Sequence, residues 1–223
     1  SWLEFRRCSS DLFNIHTLKG KSTKDVYQTL LHSKFRRLSC HDKFENKLEI
    51  SVSDNEWEEY NKIPSKCTVS TELLWLQFKI IHRILTTNSL LYRMKYVDSP
   101  LCTFCKQEVE TIEHLFYECN IVHDIWINLE AWLFTPLGIR LSFNKQNTIL
   151  GILGNNNKPV NAIILLVKHN IFRCSKRNII PNIKQIIIEI KRYYNATKYM
   201  YYSMCKPDSF FSFWSSLHTL LSE

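Results

Sequence analysis

The chain has 223 residues, 45% of them hydrophobic, with six Trp, ten Tyr and thirteen Phe: enough to build a sizeable core and too many to leave most of the chain disordered. No apolar run approaches the roughly 18 uncharged residues of a membrane span, and the opening SWLEFRRCSS lacks the apolar centre of a secretion signal, so a soluble, intracellular chain is expected. The net charge of +8 is unevenly placed: 12 Lys/Arg face 10 Asp/Glu over 1–70, 5 face 8 over 71–135, and 12 face 3 over 136–223.

That opening has no Met and starts in mid-pattern, as a piece of a longer protein would. Three segments are expected: an N-terminal helical or linker segment 1–70, a middle segment 71–135, and a basic C-terminal helical segment 136–223. With four Gly and six Pro, and Leu and Ile at helical spacing, the chain reads as mainly α. Ser22 or Thr23 caps a first short helix with Val26, Tyr27, Leu30 and Leu31 on one face. Alternation around Leu48, Ile50 and Val52 allows at most a short strand or hairpin near 46–53. Ser70 or Thr71 opens a helix whose core stripe is Leu74, Phe78, Ile81 and Leu85, and TTNS at 86–89 breaks it and caps a second helix, SLLYRMKYV.

From Glu110 one helix is expected to run through Ile125, Leu129 and Leu133 until Pro136–Gly138 ends it. Pro159 suits the first turn of a helix carrying Ile163, Leu166, Val167, Asn170 and Ile171. Pro181 opens another, NIKQIIIEIKRYY, and Asp208 or Ser209 caps a last one through SFFSFWSSLHTLL. Trp75, Phe78, Trp126 and Trp132 are expected in the core.

Between the second of these helices and the long one lies PLCTFCKQEVETIEHLFYEC, Pro100–Cys119, with three of the eight cysteines in the pattern Cys-x2-Cys-x8-His-x4-Cys. A Cys-x2-Cys turn delivers two thiolates from one tight loop. His114 and Cys119, five apart on a helix, lie about 1.4 turns from each other, so both face one ion with a modest distortion. Cys102, Cys105, His114 and Cys119 are therefore the expected ligands of one Zn ion. Three thiolates and an imidazole leave no open position for water, which makes the ion structural and gives a helical domain with an embedded Cys-Cys-His-Cys zinc finger.

Around the finger, FKIIHRILTTNSLLYRM, IWINLEAWL, ILGILGNNN and NAIILLVKHNIFRC resemble the C-terminal segment of the reverse transcriptase polyprotein of LINE-type non-LTR retrotransposons, over about residues 71–200. Pro-x-Cys-x2-Cys, Glu-Thr-x2-His-Leu-Phe and the downstream Trp are similar to that family's reverse-transcriptase zinc-binding region. The resemblance implies a piece of a transposable element's multidomain protein, working in a cytoplasmic ribonucleoprotein and in the nucleus beside endonuclease and RNA-directed DNA polymerase domains. It also implies a segment that supports binding of RNA or DNA. The polymerase's paired aspartates have no counterpart, since Tyr-x-Asp-Asp is absent.

No Gly-rich phosphate loop, nucleophile elbow or paired carboxylates at metal spacing occur, so no catalytic residue is assigned and neither an enzyme nor a small-molecule substrate is expected. Glu108, Glu110, Glu113 and Glu118 against Lys106 alone make the finger itself a poor phosphate surface. Nucleic acid is instead expected on two flanking sets: Lys79, Arg83, Arg93 and Lys95, and Lys168, Arg173, Lys176, Arg177, Lys184, Lys191, Arg192 and Lys198 with Tyr193 and Tyr194 for base stacking. The other reading is a structural or protein-interaction module bracing the polymerase, or a decayed element without function.

Overall fold

A computed structural model describes Ser22, Lys24 and residues 39–48, 50–137 and 141–222; the expected helix on Val26, Tyr27, Leu30 and Leu31 lies outside them. The chain divides into two compact units, Ser1–Asp42 and Lys43–Glu223. Of the first, Ser22, Lys24 and the opening turn of helix α1 (Ser39–Leu48) are described. The second unit contains the remaining elements.

No strand forms near 46–53. Residues 46–48 complete α1, and the groups that would pair a strand are used locally: Ile50 N–H donates to the Glu45 carbonyl at 3.2 Å and Val52 N–H to Glu45 Oε1 at 2.8 Å. Ser53 then caps α2 (Asp54–Cys67) in a capping box, donating its N–H to Glu56 Oε2 at 2.9 Å while its Oγ accepts from Glu56 N–H at 3.3 Å. The apparent alternation comes from a helix end, Leu48, followed by a buried link residue, Val52.

The expected helix pair is present as α3 (Thr71–Ile81) and the single-turn-and-a-half α4 (Asn88–Arg93). Its stripe is rotated. Leu73, Leu76, Gln77, Ile80 and Ile81 face inward, while Trp75 is 60% and Phe78 44% exposed. Helix periodicity is the same for either choice of face, and the neighbours decide which one is covered. Trp126 is fully buried as expected, and Trp132 is half-buried.

The expected long helix from Glu110 is broken. A π-helical turn, His114–Glu118, ends at Cys119 in extended conformation, and α5 (Asn120–Leu137) restarts from it. Trp126 Nε1 donates to the Phe116 carbonyl at 2.7 Å and so ties α5 back to the π turn. α6 (Lys145–Leu150) follows and ends at Gly151, whose φ of +100° and 2.9 Å approach of Asn161 Oδ1 to a would-be Cβ exclude a side chain. A 3₁₀ turn, Asn155–Asn157, leads into α7.

α7 (Lys158–Arg177), opened by Pro159, is the axis of the unit. Val160 to Leu165, Val167, Lys168, Asn170, Ile171 and Ser175 are buried, more than one face, because α2, α3, α8, α9 and the π turn all pack on it. α2, α3 and α7 pack on one another and share a core. α8 (Ile183–Ser203), capped by Asn182, buries Ile186, Ile190 and Tyr194. The expected last helix divides into α9 (Pro207–Trp214) and α10 (His218–Ser222), whose Phe210, Trp214, Leu217 and Leu221 fold back as a buried row, with Phe210 and Trp214 against the Tyr194 ring. The architecture is mainly α, with one isolated bridge and no strand among the described residues.

Candidate metal centre

Residues 100–110 fold as a tight loop closed on itself. Leu101 and Val109 form an antiparallel bridge, Cys102 N–H donates to the Glu108 carbonyl at 2.7 Å, and Glu110 N–H to the Pro100 carbonyl at 2.9 Å. At the tip, Lys106 takes a left-handed φ of 59° so that its N–H returns to the Cys102 carbonyl at 3.1 Å, and Phe104 N–H points at Cys102 Sγ at 3.4 Å. The Phe104 amide favours a thiolate at Cys102.

The other two donors come from the helical side. Thr111 Oγ1 accepts the His114 N–H at 3.0 Å and fixes the start of the turn. Cys119 N–H donates to the His114 carbonyl at 3.0 Å, the i→i+5 bond of a π turn. An α-helix would leave residues five apart rotated by about 140°; the wider turn brings Cys119 back beneath His114. The extra residue is what the His-x4-Cys spacing requires.

All four donor atoms lie within 4.8 Å of one another. Cys102 Sγ and Cys119 Sγ are 3.9 Å apart, and Cys105 Sγ and His114 Nε2 3.3 Å. Sulfurs bound tetrahedrally to zinc at about 2.3 Å are separated by about 3.8 Å, so the donors fit the ion. Cys102, His114 and Cys119 are buried and Cys105 is half-buried, a closed set with structural rather than catalytic character. The hydrogen bond from Cys102 holds the Cys119 thiol below its ordinary range, and the same bond together with burial pushes the Cys102 thiol up.

The surroundings differ from the expected acidic surface. Glu110 and Glu113 are internal. Glu110 accepts from Asn88 N–H at 2.9 Å, Thr103 N–H at 2.9 Å and Ser175 Oγ at 3.4 Å, joining α4, the loop and α7. Arg83 grips Glu113 with two hydrogen bonds, 2.6 and 3.0 Å, and stacks over Phe44 at 5.0 Å. Glu118 pairs with Lys145 at 2.6 Å, leaving Glu108 exposed. None of these roles is visible in the sequence, although Thr111-x2-His114 carries the spacing of a side-chain helix cap.

The same pairings thin the expected basic sets. Arg83 is committed to Glu113. Lys168 is 1% exposed and donates to Gln77 Oε1 at 2.5 Å and to the Ile149 carbonyl at 2.9 Å, so no phosphate reaches it. Arg173 pairs with Glu189. Tyr194 is buried with its hydroxyl on His218 Nδ1, and the Tyr193 hydroxyl bonds Thr68 Oγ1 at 2.7 Å, so these rings pack rather than stack on bases. Lys79, Arg93, Lys95, Lys176, Arg177, Lys184 and Arg192 are exposed, and Lys191 and Lys198 half-buried.

A closed three-thiolate, one-imidazole donor set joining a loop to helices defines a zinc-binding module. Residues 22–126 match the model of the family described as zinc-binding in reverse transcriptase. That segment, α1 through the first turns of α5, is accordingly a zinc-binding accessory domain of the kind associated with reverse transcriptases, with one Zn ion as its cofactor. The match begins and ends earlier than the 71–200 of the expected resemblance, leaving α7 and α8 outside it. No curated protein gives a significant match. No helix among the described residues is long and apolar enough to cross a membrane.

Proposed function

We propose that the chain is a non-catalytic, zinc-stabilised nucleic-acid-binding module of a LINE-type non-LTR retrotransposon reverse transcriptase. It holds template RNA or target DNA during target-primed reverse transcription, with polymerase and endonuclease domains as partners, in a cytoplasmic ribonucleoprotein and in the nucleus. The observation that carries the reading is the segregation of charge. The finger's Glu110 and Glu113 are internal, while Arg93 and Lys95 on one side and Lys176, Arg177, Lys184 and Arg192 on the other remain exposed. Exposed cations on a rigid helical frame are what a phosphate backbone meets, and they give binding a steep salt dependence.

The test is a titration of the zinc-loaded chain with RNA and with duplex DNA across salt concentrations. Replacing Arg177, Lys184 and Arg192 by Gln is expected to weaken binding and flatten the log–log salt slope by about 0.7 to 0.9 for each phosphate that is no longer neutralised. Absence of binding, or an unchanged slope, refutes the assignment.

A further inference from the structure

α3 shows solvent what its sequence reserves for a core. Trp75 and Phe78 meet edge to face, centroids 5.4 Å apart, and Phe78 continues to His82 at 4.2 Å. Trp75 stands on a ridge between two hollows, one of about 320 Å³ and one of about 570 Å³. The larger lies between α3 and α7, with Lys79, Leu85, His169 and Phe172 on its walls. One turn beyond Phe172, Lys176 places its ammonium 5.2 Å over that ring and bonds the Thr86 carbonyl.

Both walls carry the same device. Trp75 and Lys79 on α3, and Phe172 and Lys176 on α7, are each an aromatic ring with a cation one turn further along. Leu85 also lines another hollow of about 450 Å³ beside the zinc loop, whose walls include Thr87, Ser89, Lys47 and Arg93. Glu72, 3.7 Å from His169, is the one carboxylate among the residues lining the α3–α7 hollow.

Flat apolar faces beside cations match an unpaired nucleotide strand, whose bases stack and whose phosphates carry the charge. A duplex hides its base faces and offers no use for the rings. An apolar protein helix would offer no charge to Lys79, Lys47 or Arg93.

We propose that the α3–α7 groove binds a single-stranded nucleic-acid segment, with Trp75 and Phe172 stacking on bases and Lys79 and Lys176 on adjacent phosphates. This rests on the nucleic-acid reading above and assigns it a strand state and a site. Trp75 is exposed, so its replacement spares the core.

The test uses the zinc-loaded full chain with fluorescein-labelled oligouridylate, oligothymidylate and a duplex DNA of equal length. Trp75→Ala is expected to weaken binding of the single strands by about 5- to 100-fold and leave duplex affinity within twofold. Trp75→Phe should restore most of the loss, and Lys79→Gln with Lys176→Gln should flatten the single-strand salt slope. Equal loss for strand and duplex, or no loss for the strand, overturns the site. If Trp75→Ala instead dissolves a dimer seen by light scattering, a second copy covers this face and the site is likewise overturned. A wild-type chain that binds none of the three probes sinks the nucleic-acid reading itself. Binding that persists in the ring variants but falls with Arg177, Lys184 and Arg192 replaced sinks the groove alone.

Discussion

The backbone N–H of Asn88 donates to Glu110 Oε1 at 2.9 Å, so helix α4 is capped by a carboxylate from 22 residues downstream. Thr87, at the N-cap position, makes no side-chain cap bond. The same carboxylate holds Thr103 N–H, next to the ligand Cys102. One buried side chain therefore sets both the start of α4 and the path of the metal loop. Glu110→Ala orphans two amides, Thr103 N–H buried and Asn88 N–H half-buried, at about 1–3 kcal/mol for a buried one. Urea unfolding of the zinc-loaded protein should show a loss of about 2–5 kcal/mol, and zinc competition with a chromogenic chelator should show weaker metal binding. Glu110→Gln should recover part of the loss, because its one oxygen satisfies a single amide while its amide group opposes the other.

Metal removal should be felt well beyond the loop. The π turn closes only when Cys119 returns beneath His114, and it packs on α5, α6 and α7. Without the ion, three thiols and an imidazole are left to hold an i→i+5 turn that an unstrained helix would not form. Cys102→Ser or chelation is expected to abolish stoichiometric zinc in a metal analysis and to reduce helicity and thermal midpoint by circular dichroism. Since the cysteine thiols must lose their protons to bind, zinc affinity should fall as pH falls.

The metal donors are legible in the sequence because all four lie within twenty residues, where loop and turn geometry is local. Pro159 and Asn182 likewise mark helix starts by local chemistry. What escapes is non-local. Trp75 reads as core by residue type, yet the side of α3 that is covered depends on α7, nearly a hundred residues away. Lys168 reads as a surface cation, yet Gln77 and the Ile149 carbonyl meet it only in the folded state. The π turn has no propensity signature of its own; the five-residue spacing of His114 and Cys119 implies it only once a shared ion is assumed. Charge counted along the sequence misjudges the finger because half of its acids are inside.

Arg83 and Glu113 form a largely buried ion pair, 17% and 5% exposed at the side chain. Burial alone would raise the Glu113 carboxyl, but the hydrogen bonds and charge of Arg83 outweigh it and hold the group below its ordinary 4.5. A depressed carboxyl contributes stability that is present above the unfolded value and lost as pH falls through the folded one. Arg83→Met should leave a buried, uncompensated carboxylate and cost on the order of 3 kcal/mol at neutral pH. Part of that loss should return in acid, where Glu113 protonates, while the Arg83→Met, Glu113→Leu double variant should sit near wild type at neutral pH. A double-mutant cycle in urea at pH 7 and pH 4 reads both effects.

Lys168 titrates with the opposite sense. Burial pushes its ammonium down to about 7 from an ordinary 10.5, and its contacts are neutral: Gln77 Oε1 and the Ile149 carbonyl. Between those values the unfolded chain holds a proton that the folded chain lacks, so stability should rise with pH by up to about 1.4 kcal/mol per unit. Above pH 9 the buried Cys67 thiol, pushed up to about 12, works against this trend, because the unfolded chain then ionises a thiol that the fold keeps neutral. Comparison with Lys168→Met separates the two. Gln77 Nε2 donates to the Ile149 carbonyl at 2.9 Å in either case, so the variant leaves that acceptor satisfied. Lys168→Met should be more stable than wild type at pH 6, and its advantage should shrink steadily toward pH 9. A difference between the two that is flat from pH 6 to 9 would show that Lys168 keeps its proton in the fold.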